Sequence, residues 1–130
     1  MSYPSDLKYT KEHEWAKREG QRVRIGITEY AQKELGDVVY VELPKVGRAV
    51  KQSEAFITVE SVKAASDVYA PASGTVVEVN PQLDGHPELV NQSPYVKGWF
   101  AVIEMSRAGE LEKLLSAQEY EKHVGELEKP

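Results

Sequence analysis

Phe56-Ile57-Thr58-Val59-Glu60-Ser61-Val62-Lys63-Ala64-Ala65-Ser66-Asp67-Val68-Tyr69-Ala70-Pro71-Ala72-Ser73-Gly74-Thr75-Val76 decides the fold. The residues before Lys63 alternate as a strand does. Ala55, Ile57 and Val59 fall on one face, and Phe56, Thr58 and Glu60 on the other. Ser66 to Tyr69 then has the composition to return antiparallel. Val62, Lys63 and Ala64 lie between the two runs, with neither glycine nor proline to ease the bend. A lysine at such a tip, beside the small residues Ala64 and Ala65, is sterically open to a modifying enzyme. Taken alone it reads first as an ordinary solvating lysine, because a short motif is weak evidence.

Working outward, the same short-strand pattern fills the chain. His13-Glu14-Trp15 leads into a hairpin that turns at Glu19-Gly20, with Val23, Ile25 and Ile27 alternating in its second strand. Met1 to Lys11 is polar and reads as only half-ordered, with Leu7 and Tyr9 as first-strand contacts. Thr28 is placed to cap a short helix carrying Ala31 and Leu35 on one face, and Gly36 to end it. Val39, Val41 and Leu43 alternate in the next strand, and Thr75, Val77 and Val79 follow the turn at Pro71–Gly74. Asn80 to Tyr95 is a proline-punctuated connection with one helical turn at Glu88–Asn91. Trp99, Ala101, Ile103 and Met105 alternate as a last strand. Leu111, Leu114 and Leu115 suit a short helix. Ser116 and Glu119 form a capping box for a second, with Ala117, Tyr120, Val124 and Leu127 on its buried face and Glu128–Pro130 frayed.

The expectation is a mostly β fold of short antiparallel strands closing on themselves, with a short internal helix and a C-terminal helical segment. A chain of 130 residues suits a single domain, 1–130, with a core at about 8–106 and C-terminal helices at about 108–127. A net charge of −5 argues against nucleic acid as a partner. The absence of cysteine excludes disulfides and thiolate metal sites. Met1 to Lys8 reads as neither a secretory signal nor a transit peptide, and no apolar run approaches bilayer length. A soluble, cytoplasmic protein is expected.

Little catalytic chemistry is visible. No glycine-rich phosphate loop occurs. His13, His86 and His123 are scattered without metal-ligand spacing, and His123 reads as exposed. No nucleophile stands with a base. A small barrel so equipped is a carrier or adaptor before it is an enzyme.

Glu60-Ser61-Val62-Lys63-Ala64, followed by Tyr69-Ala70-Pro71 and Ser73-Gly74, resembles the lipoyl-attachment site of the glycine cleavage system H proteins. The likeness continues through His13-Glu14-Trp15, Gly26 to Ala31, Leu35 to Val41, Glu88-Leu89-Val90-Asn91 and Gly98-Trp99, in order and at the right spacing. It implies a lipoyl-domain-like barrel-sandwich hybrid whose Lys63 carries lipoate as a side-chain amide. It also implies a shuttle among three enzymes. A pyridoxal-phosphate glycine decarboxylase loads an aminomethyl group, an aminomethyltransferase passes the carbon to tetrahydrofolate, and dihydrolipoyl dehydrogenase reoxidises the dithiol. A fourth partner is the lipoate-attaching enzyme. A shuttle of this kind needs no permanent partner, so a monomer is expected.

The resemblance also gives provisional roles to other residues. Glu60 and Gly74 match positions presented to the lipoate-attaching enzyme, although an exposed strand carboxylate and a turn glycine explain them as well. Glu14 and Asp67 are candidates for an aminomethyl-arm cleft, where a carboxylate would pin the loaded amine and the exclusion of water would protect it. Ordinary surface charge is the plainer reading of both. Tyr30, Tyr40 and Trp99 read as core or cleft wall. A free-standing lipoyl or biotinyl carrier, a lipoate relay for other complexes, and an unmodified binding barrel remain alternatives. Val62 and Ala64 beside the lysine, where biotin domains place methionines, argue against biotin.

Overall fold

The computed structural model describes residues 3–129, so the fraying expected to the chain end lies outside them at Pro130. Strand β1 (Lys8–Tyr9) pairs antiparallel with β2 (Glu14–Glu19), which turns at Gly20 into β3 (Arg22–Ile27). Helix α1 (Glu29–Leu35) forms as its caps dictate. Thr28 Oγ1 accepts from the Ala31 N–H at 3.2 Å, and Gly36 closes the helix at a φ of 77° that favours glycine. Strands β4 (Val38–Glu42), β5 (Ala49–Val50), β6 (Ala55–Ser61), β7 (Ala65–Tyr69) and β8 (Gly74–Val79) follow. A 3-10 turn at Pro81–Asp84 and helix α2 (Leu89–Gln92) break up the long connection, which thus holds two helical turns and not one. Strand β9 (Ala101–Met105), a 3-10 turn at Ala108–Lys113 and helix α3 (Ala117–Leu127) complete the order. The Ser116–Glu119 capping box is present in full.

The strands form two antiparallel sheets, in the orders β1-β2-β3-β9-β8-β5 and β4-β6-β7. Both contribute to one apolar core. Val23, Ile25, Val76 and Ile103 come from the larger sheet, and Val41, Ile57, Val59 and Val68 from the smaller. A second, smaller core of Tyr3, Leu7, Tyr9, Trp15, Tyr120 and Val124 joins the chain's beginning to α3. The mostly β architecture with a short internal helix and a C-terminal helix is therefore as expected. The half-ordered N-terminus is not. Tyr3 is buried with its ring edge-on to Tyr120 at 4.9 Å, because α3 supplies the apolar partner that the local sequence lacks.

Strict alternation fails at three strands, each for the same reason. A β-bulge adds a residue to one strand, and the side chains beyond it change face. In β4 the irregularity between Val38 and Tyr40 leaves Val38 and Val41 buried and turns Val39 outward. In β6 the shift between Ala55 and Ile57 buries Phe56 together with Ile57. In β8 it falls between Val76 and Glu78, and Val76 points into the core where Thr75 and Val77 were expected. Trp99 precedes β9 and lies half-buried beneath the Arg24 guanidinium at 4.3 Å. Leu127 is half exposed, since α3 runs past the N-terminal segment it covers.

Candidate functional site

The tip that carries Lys63 solves its bend with a serine. The Ser61 N–H donates to the Ala64 carbonyl at 2.8 Å, and Ser61 Oγ accepts from the Lys63 and Ala64 N–H groups at 3.2 and 3.1 Å. A hydroxyl that collects two backbone donors does here what glycine or proline does in commoner turns. The Val62 N–H donates to the Asp37 carbonyl at 3.0 Å, which fastens the tip to the connection between α1 and β4. Lys63 is exposed, and its stem passes over Gly36. A Cβ at position 36 would lie 3.3 Å from Lys63 Cε, so the missing side chain leaves a seat for the lysine. Asn91 braces that seat from the long connection. Its Nδ2 donates to the Gly36 carbonyl and Gln32 Oε1, and its Oδ1 accepts from the Val38 N–H, each at 2.9 Å.

Beside the hairpin lies a cleft of about 290 Å³, lined on one side by Tyr30 and Leu35 of α1, on another by Asp67 of β7, and also by Glu14. The structure thus brings Glu14 and Asp67 together, although 53 positions separate them. Asp67 is exposed, with the Thr58 hydroxyl donating to Oδ1 at 3.5 Å. Glu14 is only 1 % exposed, which rules out its reading as surface charge. Its Oε1 accepts from the Thr10 hydroxyl at 2.5 Å and its Oε2 from the Tyr69 N–H at 3.0 Å. Burial pushes its carboxyl up to about 7, against the pull of these two hydrogen bonds. Glu12 and Glu34 line the same cleft, so four carboxyl groups face a space that suits a cation. Glu14 also borders a second hollow of about 470 Å³, shared with Tyr69 to Pro71 and Lys113 to Leu115.

His13 precedes Glu14 in the chain and lines the same cleft. It holds a φ of 77°, unusual for a residue with a side chain, and its Nδ1 lies 2.8 Å from Tyr120 Oη. Tyr120 Oη in turn lies 2.7 Å from Thr28 Oγ1, the cap of α1. Burial and the nearby His123 lower the His13 pKa. His123 is half-buried and stacks on His13 at 5.9 Å, so two of the three apparently scattered histidines meet. Among the described residues, no group of three or more His, Cys, Asp or Glu converges to hold a metal ion.

Glu60 is exposed on β6, three residues before Lys63. Gly74 is not at the tip. It opens β8 beyond the base of the hairpin, paired with Val50 and Met105. A Cβ there would lie 2.0 Å from the Glu104 carbonyl oxygen, so strand contact alone requires glycine. Tyr30 is cleft wall as expected, but Tyr40 is 48 % exposed and belongs to neither core nor cleft. Thr10, His13, Thr28 and Tyr120 went unassigned in the sequence. Thr28 carried a signal as a helix cap and Tyr120 as a buried position on its helix. The Thr10 contact with Glu14 is local, four residues apart, whereas His13 and Tyr120 meet by tertiary approach.

The sequence profile of the family described as Glycine cleavage H-protein matches residues 7–127. The chain is 58 % identical over 126 residues to the glycine cleavage system H protein of Bacillus subtilis (strain 168), covering 97 % of this chain and 99 % of that one. It is 54 % identical over 126 residues to the protein of the same name from Staphylococcus saprophyticus, covering 97 % and 100 %. A crystal structure of a glycine cleavage system H protein from Mycobacterium marinum superposes with a TM-score of 0.87 at 41 % identity, covering 95 % of this chain and 99 % of that one.

Proposed function

The chain belongs to the glycine cleavage H-protein family, and on that premise we propose how its residues serve a lipoyl shuttle. Its function is that of a non-catalytic carrier of the glycine cleavage system, working with that system's other protein components. Lys63 takes lipoate as an amide on Nζ. When bound, lipoate supplies the disulfide and dithiol chemistry that a chain without cysteine cannot supply for itself. The observation that carries this reading is the seat and cleft together: a lysine stem laid over Gly36, at the end of the helix that walls the carboxyl-lined cleft.

The dimensions support it. A lysine–lipoyl arm of about eleven bonds places its ring roughly 14 Å from the Lys63 Cα. The four strand steps from Lys63 to Asp67 span about 13 Å. An arm laid along β7 thus ends beside Asp67 and Glu14. There the two carboxyl groups hold an ammonium group at the arm's end, and the walls of α1 and β7 keep water from it. Amide formation removes the charge of Lys63, and the tether raises the local concentration of the arm at each partner. Glu60 is read directly by the lipoate-attaching enzyme, and Gly74 acts through the packing that seats the base of the hairpin. The protein works as a monomer. Among the described residues, no helix is long and apolar enough to cross a membrane.

The intact mass of the protein from cells competent in lipoylation carries the shift of one lipoyl group, and peptide mapping assigns it to Lys63. Lys63→Arg folds as the parent does and gains no such shift, since arginine keeps the charge but cannot form this amide. A biotinyl shift, or an unmodified chain from competent cells, would overturn the assignment.

A further inference from the structure

Six large apolar side chains are strongly exposed among the described residues, and three of them lie in the Lys63 turn or on the strand paired beside it: Val62 at 66 %, Val39 at 54 % and Tyr40 at 48 %. Their placement follows from the backbone. The Val62 N–H is bonded to the Asp37 carbonyl, Val38 pairs with Ser61, and Tyr40 pairs with Glu60. The bulge between Val38 and Tyr40 turns Val39 outward beside them. Adjacent strands lie about 4.8 Å apart, so Tyr40 stands directly against the strand that leads into the tip. Exposed carboxylates of Asp37, Glu42 and Glu60 rim the patch.

The reach of the lysine says which partner must cover it. A bare lysine extends only roughly 6 Å beyond its Cα. An enzyme that acylates Nζ must therefore press against the tip and its immediate neighbours. Enzymes that receive the finished arm meet a group that reaches more than twice as far, and can engage it at a distance from β4. We propose that Val39, Tyr40 and Val62 form the docking face for the lipoate-attaching enzyme, which holds its acyl group as an adenylate. The inference rests on Lys63 being the attachment point. The phosphate of an acyl adenylate requires cationic groups near the mouth of the site, and these complement the rim of Asp37, Glu42 and Glu60. In the transfer, Nζ loses its proton and attacks the acyl carbon. The C–N bond forms, the C–O bond to the phosphate breaks, adenosine monophosphate leaves with the electron pair, and the second Nζ proton goes to solvent.

The test uses the full, unmodified chain with a lipoate–protein ligase, lipoate and ATP, and follows the mass of the Lys63 peptide. Val39→Ser combined with Tyr40→Ser lowers kcat/KM for attachment about tenfold or more, the loss expected on removing an apolar anchor. Val62→Ser does the same from the turn and covers the case in which the double variant folds poorly. Once chemically lipoylated, both variants are reoxidised by dihydrolipoyl dehydrogenase at the parent rate. Attachment within about twofold of the parent would overturn the proposal, as would an equal loss in both assays. A parent chain modified elsewhere than at Lys63 would overturn the attachment reading as well, so the two failures are distinct.

Discussion

Glu14 shows at the scale of one residue how burial prepares a group for a cation. The folded chain keeps its carboxyl protonated to about pH 7, whereas the unfolded chain ionises it near 4.5. Below about 4.5 both states hold the proton and the group makes no difference to stability. Between about 4.5 and 7 the unfolded state gives up its proton first. Folding stability therefore falls across that window, by about 3 kcal/mol, and stays lower above it. Glu14→Gln removes this contribution and retains an acceptor for the Tyr69 N–H. Denaturant unfolding from pH 4.5 to 8.5 is expected to show the variant gaining on the parent steadily up to about pH 7. Parallel profiles would mean that Glu14 is not held protonated. An ammonium group entering the cleft reverses the balance, since an opposite charge favours the ionised carboxyl. The sequence offers Glu14 and Asp67 only as candidates, carboxylates able to hold the amine that the resemblance implies. The burial of Glu14 was not, because it depends on Thr10 and Tyr69 closing over it from two separate segments.

At the scale of elements, local chemistry was legible and its consequences were not. Thr28 and Gly36 bound α1, and Ser116 with Glu119 opens α3, because caps act within a few residues of one another. The hairpin around Lys63 was equally local. The inward faces of β4, β6 and β8 were misjudged because a bulge is a property of a strand pair and leaves no trace in one strand's alternation. Asn91 shows what connects the elements. From α2 it holds the end of α1 and the start of β4, and so fixes the Gly36 seat under Lys63. Asn91→Ala leaves the Val38 N–H and the Gly36 carbonyl without these partners, at a cost of about 2–4 kcal/mol. Its predicted signature is local: hydrogen exchange at the Val38 amide accelerates more than exchange in β9. Uniform acceleration would reduce Asn91 to general stability.

Across the whole molecule, the second core makes α3 part of the cleft. Tyr120 is fully buried, its ring stacks on Tyr9 with centroids 4.8 Å apart, and its hydroxyl meets both His13 and Thr28. His13 adjoins Glu14, and Thr28 caps the helix that forms the opposite wall. The amphipathic stripe of α3 announced a buried Tyr120 and Val124, but their partners lie more than a hundred residues back, in a segment that reads as polar. No periodicity reports such a contact. Two substitutions separate the ring from its hydroxyl. Tyr120→Ala removes the centre of the second core and costs about 3–5 kcal/mol. Tyr120→Phe keeps the stack and deletes the hydroxyl contacts, at about 1–2 kcal/mol. If the hydroxyl ties the walls together, Tyr120→Phe speeds hydrogen exchange at the Thr28 and Ala31 amides, which bond to the His13 carbonyl and Thr28 Oγ1. Exchange in β9 then rises only by the global loss of stability. Equal changes at all these amides would leave α3 a cover for the barrel with no hold on the cleft. Selective change at Thr28 and Ala31 would mean that the C-terminal helix, far from Lys63 in sequence, sets the width of the space beside it.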